Sequence, residues 1–227
     1  MPAYVGWLDT AGIKWAGGFL GERKKLGLPY ITSLILLIDP RVGNFKAVMD
    51  GEWITSMRTG AQTAVSLKYL HKGPSIRLGL YGAGGQGHTQ TEAVAAVFDI
   101  EEVRVFDINR ESALKYAEDM KDIVKGKVTV VDDPRDAAWG DAIVCVTQSK
   151  EKFLKNEWIA RRTNVFPMGS YQEVDDDFIL SADRVIVDHV GQCLHRGALK
   201  GLVEAGKFQE SDIDATIGEV VAGKKPG

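Results

Sequence analysis

Ile76-Arg-Leu-Gly-Leu-Tyr-Gly82-Ala-Gly84-Gly85-Gln86-Gly87 reads as a strand that runs into a glycine turn and opens into a helix. Gly82 allows the tight turn, Gly84 lets the backbone approach a phosphate with no Cβ in the way, and Gly87 lets the helix pack closely on the strand. Gly85 and Gln86 lie at the helix start, where N–H groups without intrahelical acceptors and the positive end of the dipole face an anion. A glycine turn alone is weak evidence, so its surroundings decide. Helix formers with an apolar stripe follow at Gln90-Thr-Glu-Ala-Val-Ala-Ala-Val-Phe98. A second strand, Glu102-Val-Arg-Val-Phe-Asp107, then ends in a carboxylate 20 residues beyond Gly87. That is where an aspartate accepts hydrogen bonds from the ribose hydroxyls of a dinucleotide. The same acid repels a 2′-phosphate and favours NAD. Arg110, three residues later, is placed to pair with a 2′-phosphate, which keeps NADP open.

Outward from this stretch, strands expected at 76–81, 103–107, 128–131 and 142–147 alternate with helices at 87–98, 111–124 and 134–139. That alternation is the mark of βαβ units in a parallel sheet. It continues with a strand at 164–167, a helix at 175–181, a strand at 184–188, and a last helix after Ser211 reaching about residue 222. The chain before residue 73 is different. Strands at 12–19, Ile31–Ile38 and 45–49 form a meander, and Thr55 serves as N-cap of a helix through Leu70 that Lys72-Gly-Pro74 stops. The expected fold class is α/β: a Rossmann-type doubly wound parallel sheet plus part of an α+β substrate and dimerisation domain. Residues 1–72 make the partial substrate domain, 73–190 the nucleotide domain, and 191–227 a C-terminal segment returning toward the substrate domain.

With 227 residues, 44% hydrophobic and 26% charged, the chain has the composition of a globular protein with a real core. A net charge of −3, spread without long runs, offers no basic surface for nucleic acid. No apolar run approaches the roughly 20 residues that span a bilayer, and the N-terminus lacks signal-peptide order, so no membrane partner is expected. The two cysteines, Cys145 and Cys193, suit a reducing compartment, and the expected location is the cytoplasm. No spacing of His, Cys, Asp or Glu suggests a metal site.

Two further stretches carry chemistry, Ala11-Gly-Ile-Lys14-Trp15 and Ile54-Thr-Ser-Met-Arg58-Thr-Gly-Ala61. At the start of a helix the dipole opposes a cation, so Arg58 calls for a reason. A fixed guanidinium there makes a good clamp for a carboxylate, although for the residue by itself a solvated surface arginine is the better reading.

Taken together, the stretches 12–15, 36–39, 47–51, 54–61 with 68–70, 82–87 and 215–223 resemble, in order and spacing, the ornithine cyclodeaminase and mu-crystallin family of NAD(P)-dependent enzymes. The resemblance implies hydride transfer at the Cα of a small amino or imino acid, by an amino-acid dehydrogenase, a ketimine reductase or an ornithine cyclodeaminase. It implies that Lys14 contacts the substrate carboxylate and polarises the reacting carbon, and that Arg58 pairs with the same carboxylate. Gly82 to Gly87 and Asp107 correspond to the dinucleotide site, and Thr147 to the residue beside the nicotinamide. Asp188 and His189, at the next expected strand end, face the ligand. The full-length form is expected to be a homodimer.

Two departures stand out. Enzymes of this family often carry an aspartate in the loop that here reads Gly169-Ser-Tyr-Gln-Glu173-Val-Asp175-Asp-Asp177, and no residue matches it cleanly. Glu173, Asp175 and Asp188 are the candidates for its proton-transfer role, with a helix cap the plainer reading of Asp175 to Asp177. Family members also run past this chain at both ends, so it reads as truncated. Both departures favour the rival reading of a cofactor-binding protein without turnover, mu-crystallin-like or an accessory subunit of an amine-oxidising system.

Overall fold

The structure, a computed structural model, describes residues 1–18 and 22–227. The chain forms two compact units, Met1–Arg58 and Thr59–Gly227.

In the first unit, β1 (Pro2–Val5), β2 (Thr10–Gly18), β3 (Ile31–Ile38) and β4 (Phe45–Asp50) form an antiparallel sheet in chain order, with a short helix α1 (Glu22–Lys25) between β2 and β3. This is the expected meander with β1 added at its edge; residue 19, assigned to the first strand, lies outside the described residues. Alternation along the strands decides which side chains share a face. Pairing of Trp15 with Leu34, Ile13 with Leu36, and Leu36 with Val48 gathers apolar side chains on one face, and Trp15, Ile13, Leu34 and Val48 are exposed there. Lys14 and Ser33 point to the other.

Helix α2 runs Glu52–Leu70, four residues longer at its start than expected with Thr55 as N-cap. The Asp50 carboxylate accepts the Glu52 N–H at 2.9 Å and starts the helix. Thr55 is therefore no N-cap, and Arg58 stands in the second turn instead of opening the helix. In the second unit, the buried residues of α2 are small or hydroxylated, including Thr59, Thr63, Ala64 and Ser66, besides Leu67. A Cβ on Gly60 would overlap the carbonyl of Thr89, so two helix backbones meet at that point.

The second unit is built on β5 (Ser75–Tyr81), β6 (Asp99–Phe106), β7 (Lys127–Val130), β8 (Ala142–Cys145) and β9 (Asn164–Pro167), all parallel in the order β7-β6-β5-β8-β9. The connections include α3 (Gly85–Ala95), α4 (Arg110–Met120) and α5 (Pro134–Ala137). One face of the sheet packs Leu78, Leu80, Val103 and Val105 against Leu67, Val94, Tyr116 and Met120. The other packs Tyr81, Ile143 and Cys145 against Ala137, Leu154 and Val174. With both faces covered, β8 is buried at every position, which explains its unbroken apolar run. Strand order reverses between β5 and β8, and ligands of such sheets gather outside the carboxyl ends at that point.

The C-terminal part departs most from expectation. After α6 (Asp176–Ser181), the strand assigned to 184–188 is only β10 (Ile186–Val187), which pairs with β11 (Ala215–Thr216) in a two-stranded sheet of its own. Asp188 consequently does not end a strand of the five-stranded sheet. Helices α7 (Val190–Cys193) and α8 (Lys200–Glu204) intervene around a cluster of Ile179, Val187, Leu199, Leu202 and Phe208. The last helix, α9 (Ile217–Val221), starts later than Ser211, because Thr216 and Glu219 form a reciprocal capping box there. Among the described residues, no helix is long and apolar enough to cross a membrane.

Candidate functional site

Gly82 leaves β5 with φ +102°, and its N–H donates to the Phe106 carbonyl at 2.9 Å. A side chain there is doubly excluded, since a Cβ would also lie 2.9 Å from the Val146 carbonyl oxygen. At Gly87 a Cβ would overlap the Gly82 carbonyl, so the helix can pack on the strand end only with glycine at this position. Gly84 and Gly85 differ: no atom lies within 4 Å of where their Cβ would be, and both are exposed. No side chain caps α3 at Gly84. The turn thus presents a first helical turn over open space bounded by backbone, the cradle a pyrophosphate needs. Gln86 is half-buried at its edge.

His88, which carried no signal in the sequence, braces this turn. Its Nδ1 lies 2.9 Å from the Gly84 carbonyl and its Nε2 3.1 Å from the Asp119 carboxylate on α4. Lys115 and then His88 hold the Asp119 carboxyl below its usual range.

Asp107 closes the other side. One carboxylate oxygen accepts the Ala83 N–H at 2.8 Å and the other the Asn109 N–H at 2.8 Å, so it ties the glycine turn to the start of α4. Each oxygen keeps a lone pair for a hydroxyl. Beside it opens a hollow of about 240 Å³ with Phe106, Ala113, Val130 and Val131 as apolar lining and Asp107, Ile108, Arg110 and Asp132 as its remaining walls. Arg110 forms an ion pair with Asp132.

Thr147 follows β8 at the strand-order reversal, beside Gly82. Its N–H and hydroxyl both donate to one oxygen of Glu173, at 2.8 and 2.5 Å, and the Thr147 oxygen accepts the Ser149 N–H at 3.1 Å. The second Glu173 oxygen accepts the Gly169 N–H at 3.2 Å. Glu173 is fully buried. Burial pushes its carboxyl above the usual range, against the pull of the Thr147 and Gly169 donors. Its role is therefore to hold the ends of β8 and β9 in place. Asp175 and Asp176 are also engaged, Asp175 with the Lys155 ammonium at 3.2 Å and the Asn156 N–H at 3.3 Å, and Asp176 with Lys152 at 2.6 Å.

Asp188 joins a different network. It accepts the His189 N–H at 2.8 Å and the Cys193 thiol at 3.1 Å, with the Gln62 side chain as a further partner. Burial alone would raise its carboxyl, but these donors outweigh it and leave it below the usual range. The Cys193 thiol is pushed up to about 11, by burial first and by Asp188 second.

In the first unit, the Lys14 ammonium donates to the Thr55 hydroxyl at 2.9 Å. The Thr55 hydroxyl in turn donates to the Gly51 carbonyl at 2.5 Å, and the Ser33 hydroxyl sits 3.0 Å from the Thr55 hydroxyl oxygen. This anchor is invisible in sequence, because Thr55 and Ser33 are distant from Lys14 along the chain. Partial burial, and then the charge of Arg58, lower the Lys14 pKa. Lys14 and Arg58 are thus electrostatic neighbours although 43 residues separate them. An anion between them would relieve their repulsion, and Arg58 is exposed enough to meet one.

The profile of the Ornithine cyclodeaminase/mu-crystallin family matches residues 1–227. Alanine dehydrogenase of Archaeoglobus fulgidus is 36% identical over 231 residues, covering 100% of this chain and 70% of that protein. Ketimine reductase mu-crystallin of Rattus norvegicus is 34% identical, with 100% and 70% covered. The structure of Thermococcus litoralis Delta(1)-pyrroline-2-carboxylate reductase in complex with NADH and L-proline superposes with a TM-score of 0.90 at 30% identity, covering 100% of this chain and 76% of that one.

Proposed function

Because the chain belongs to the ornithine cyclodeaminase/mu-crystallin family, we propose that it is an NAD-dependent oxidoreductase transferring hydride at the Cα of a small amino or imino acid. The observation that carries this reading is the glycine turn at the strand-order reversal, open at Gly84 and Gly85 and closed at Gly82 and Gly87. NAD supplies the hydride acceptor, or NADH the donor, when bound. The chain's own residues do the rest. Backbone amides at the start of α3 receive the pyrophosphate, Asp107 the ribose hydroxyls, and Thr147 with its Glu173 brace shapes the wall beside the nicotinamide. Lys14 and Arg58 take the substrate carboxylate, whose desolvation two cations offset. The Lys14 ammonium, with its pKa already lowered, is also the group best suited to polarise the reacting carbon.

The reaction is the reduction of an imino acid or its reverse, the oxidation of an amino acid; the acyclic and cyclic imines are the alternatives within that class. The assembly is a homodimer, a reading supported by the exposed apolar face around Trp15, Leu34 and Val48. The test is NADH fluorescence titration followed by NADH oxidation with pyruvate plus ammonia and with Δ1-pyrroline-2-carboxylate. Saturable NADH binding with turnover of one imine is expected; no NADH binding refutes the reading.

One observation favours a second reading, cofactor binding without turnover. Glu173 and Asp175 are spent on structural hydrogen bonds, and the Asp188 carboxyl is held below its usual range, a poor base. NADH binding with no turnover of either imine would select it.

A further inference from the structure

The hollow beside Asp107 contains a contest of charges that the glycine turn does not explain. Its apolar lining, Phe106, Ala113, Val130 and Val131, suits the flat face of a purine. Three charged residues also line it: Asp107, Arg110 and Asp132. Arg110 is the first residue of α4, where the helix dipole disfavours a cation, so its guanidinium needs an anionic partner nearby. Two candidates exist in a liganded protein, the 2′-phosphate of NADP and a carboxylate of the protein. Asp132, just beyond β7, already supplies the second. The Asp107 carboxylate is tied to the Ala83 and Asn109 N–H groups, and in the dinucleotide reading its remaining lone pairs go to the ribose hydroxyls.

We propose that Asp132 determines dinucleotide choice in this chain by holding Arg110 away from the position a 2′-phosphate would take. The proposal rests on the dinucleotide reading above. With the pair formed, the charged wall carries two carboxylates against one guanidinium, a net negative charge that repels a 2′-phosphate and is indifferent to a 2′-hydroxyl. With Asp132 neutralised, Arg110 loses the carboxylate it pairs with and turns its planar fork to the phosphate, a bidentate geometry that suits it. Arg110 then changes from a bystander into the NADP-binding residue that its place in the sequence suggests.

The experiment is titration of NADH and NADPH, each by nicotinamide fluorescence, against the wild-type chain, Asp132→Asn, Arg110→Gln and the double variant. Both residues are surface-exposed, so the variants fold, and thermal melting checks this. For Asp132→Asn, the ratio of the NADPH Kd to the NADH Kd is expected to fall about threefold to fivefold, the scale of one exposed ion pair. In the Arg110→Gln background the same substitution should lower the ratio less than twofold, because the guanidinium that would exploit it is gone. A ratio unmoved by Asp132→Asn overturns the proposal. So does an equal fall with and without Arg110, which would make Asp132 a simple repelling charge. Failure of the wild-type chain to bind NADH refutes the dinucleotide reading itself, so the two failures are distinguishable.

Discussion

Gly84→Ala and Gly87→Ala should behave as opposites, although the two glycines are three residues apart in one turn. At Gly87 the new methyl meets the Gly82 carbonyl, a backbone atom that can move only by shifting the strand end. Overpacking of that kind costs about 1–3 kcal/mol, and for a protein of this size each kcal/mol lowers Tm by roughly 2–4 °C. Gly87→Ala should therefore melt several degrees below the wild type. At Gly84 the backbone has φ −80° and ψ −170°, which alanine adopts without strain, and no atom lies within 4 Å of the new Cβ. Two small effects then oppose each other. The unfolded chain loses entropy, stabilising by about 0.4–1 kcal/mol, while alanine is a poorer N-cap than glycine by a similar amount. Gly84→Ala should melt within about 2 °C of the wild type.

Binding should rank the two variants the other way round. The methyl at Gly84 occupies the space in which the pyrophosphate approaches the α3 amides. Losing one or two hydrogen bonds to a charged phosphate costs about 1.5–3 kcal/mol, or roughly 10- to 150-fold in NADH Kd. The assay is differential scanning fluorimetry paired with NADH titration on each variant. A Gly84→Ala chain that keeps its melting point and binds NADH as the wild type does would refute the assignment of this turn to the pyrophosphate. A Gly87→Ala chain with unchanged Tm would refute the packing argument.

Glu173→Gln should remove a pH dependence. The native carboxyl titrates above the ordinary carboxylate value because of burial, so the stability it contributes is full below the unfolded pKa and is lost as pH rises through the raised native one. The Tm advantage of wild type over Glu173→Gln should shrink as pH rises above about 4.5; an advantage that grows with pH would show that the buried carboxylate is stabilised as an anion. Arg58→Lys keeps the charge but loses the fork, so KM for the imino-acid substrate should rise about tenfold with a smaller change in NADH Kd. Steady-state kinetics with unaltered KM would remove Arg58 from the carboxylate site.

The nucleotide half was legible in the sequence because each signal there is local. Gly82 and Gly87 are dictated by backbone geometry within one turn, and the buried strands advertise themselves as apolar runs of the right length. The end of β6 fixed where Asp107 would stand, and Asp107 does reach back to the turn. Where a residue's role depends on a partner far along the chain, local reading fails. Thr55 looked like an N-cap and is the anchor of Lys14; Glu173 looked like a candidate for proton transfer and braces Thr147. Arg110 looked available to a phosphate and is paired with Asp132. Asp188 was placed by assuming that one more strand joins the parallel sheet, but Ile186–Val187 pairs with Ala215–Thr216 instead. Hydrophobic periodicity specifies that a segment is a strand, since the pattern belongs to the segment itself. Which strand it pairs with, and which carboxylate meets which cation, depends on how distant segments are brought together, and that is decided only when the chain packs.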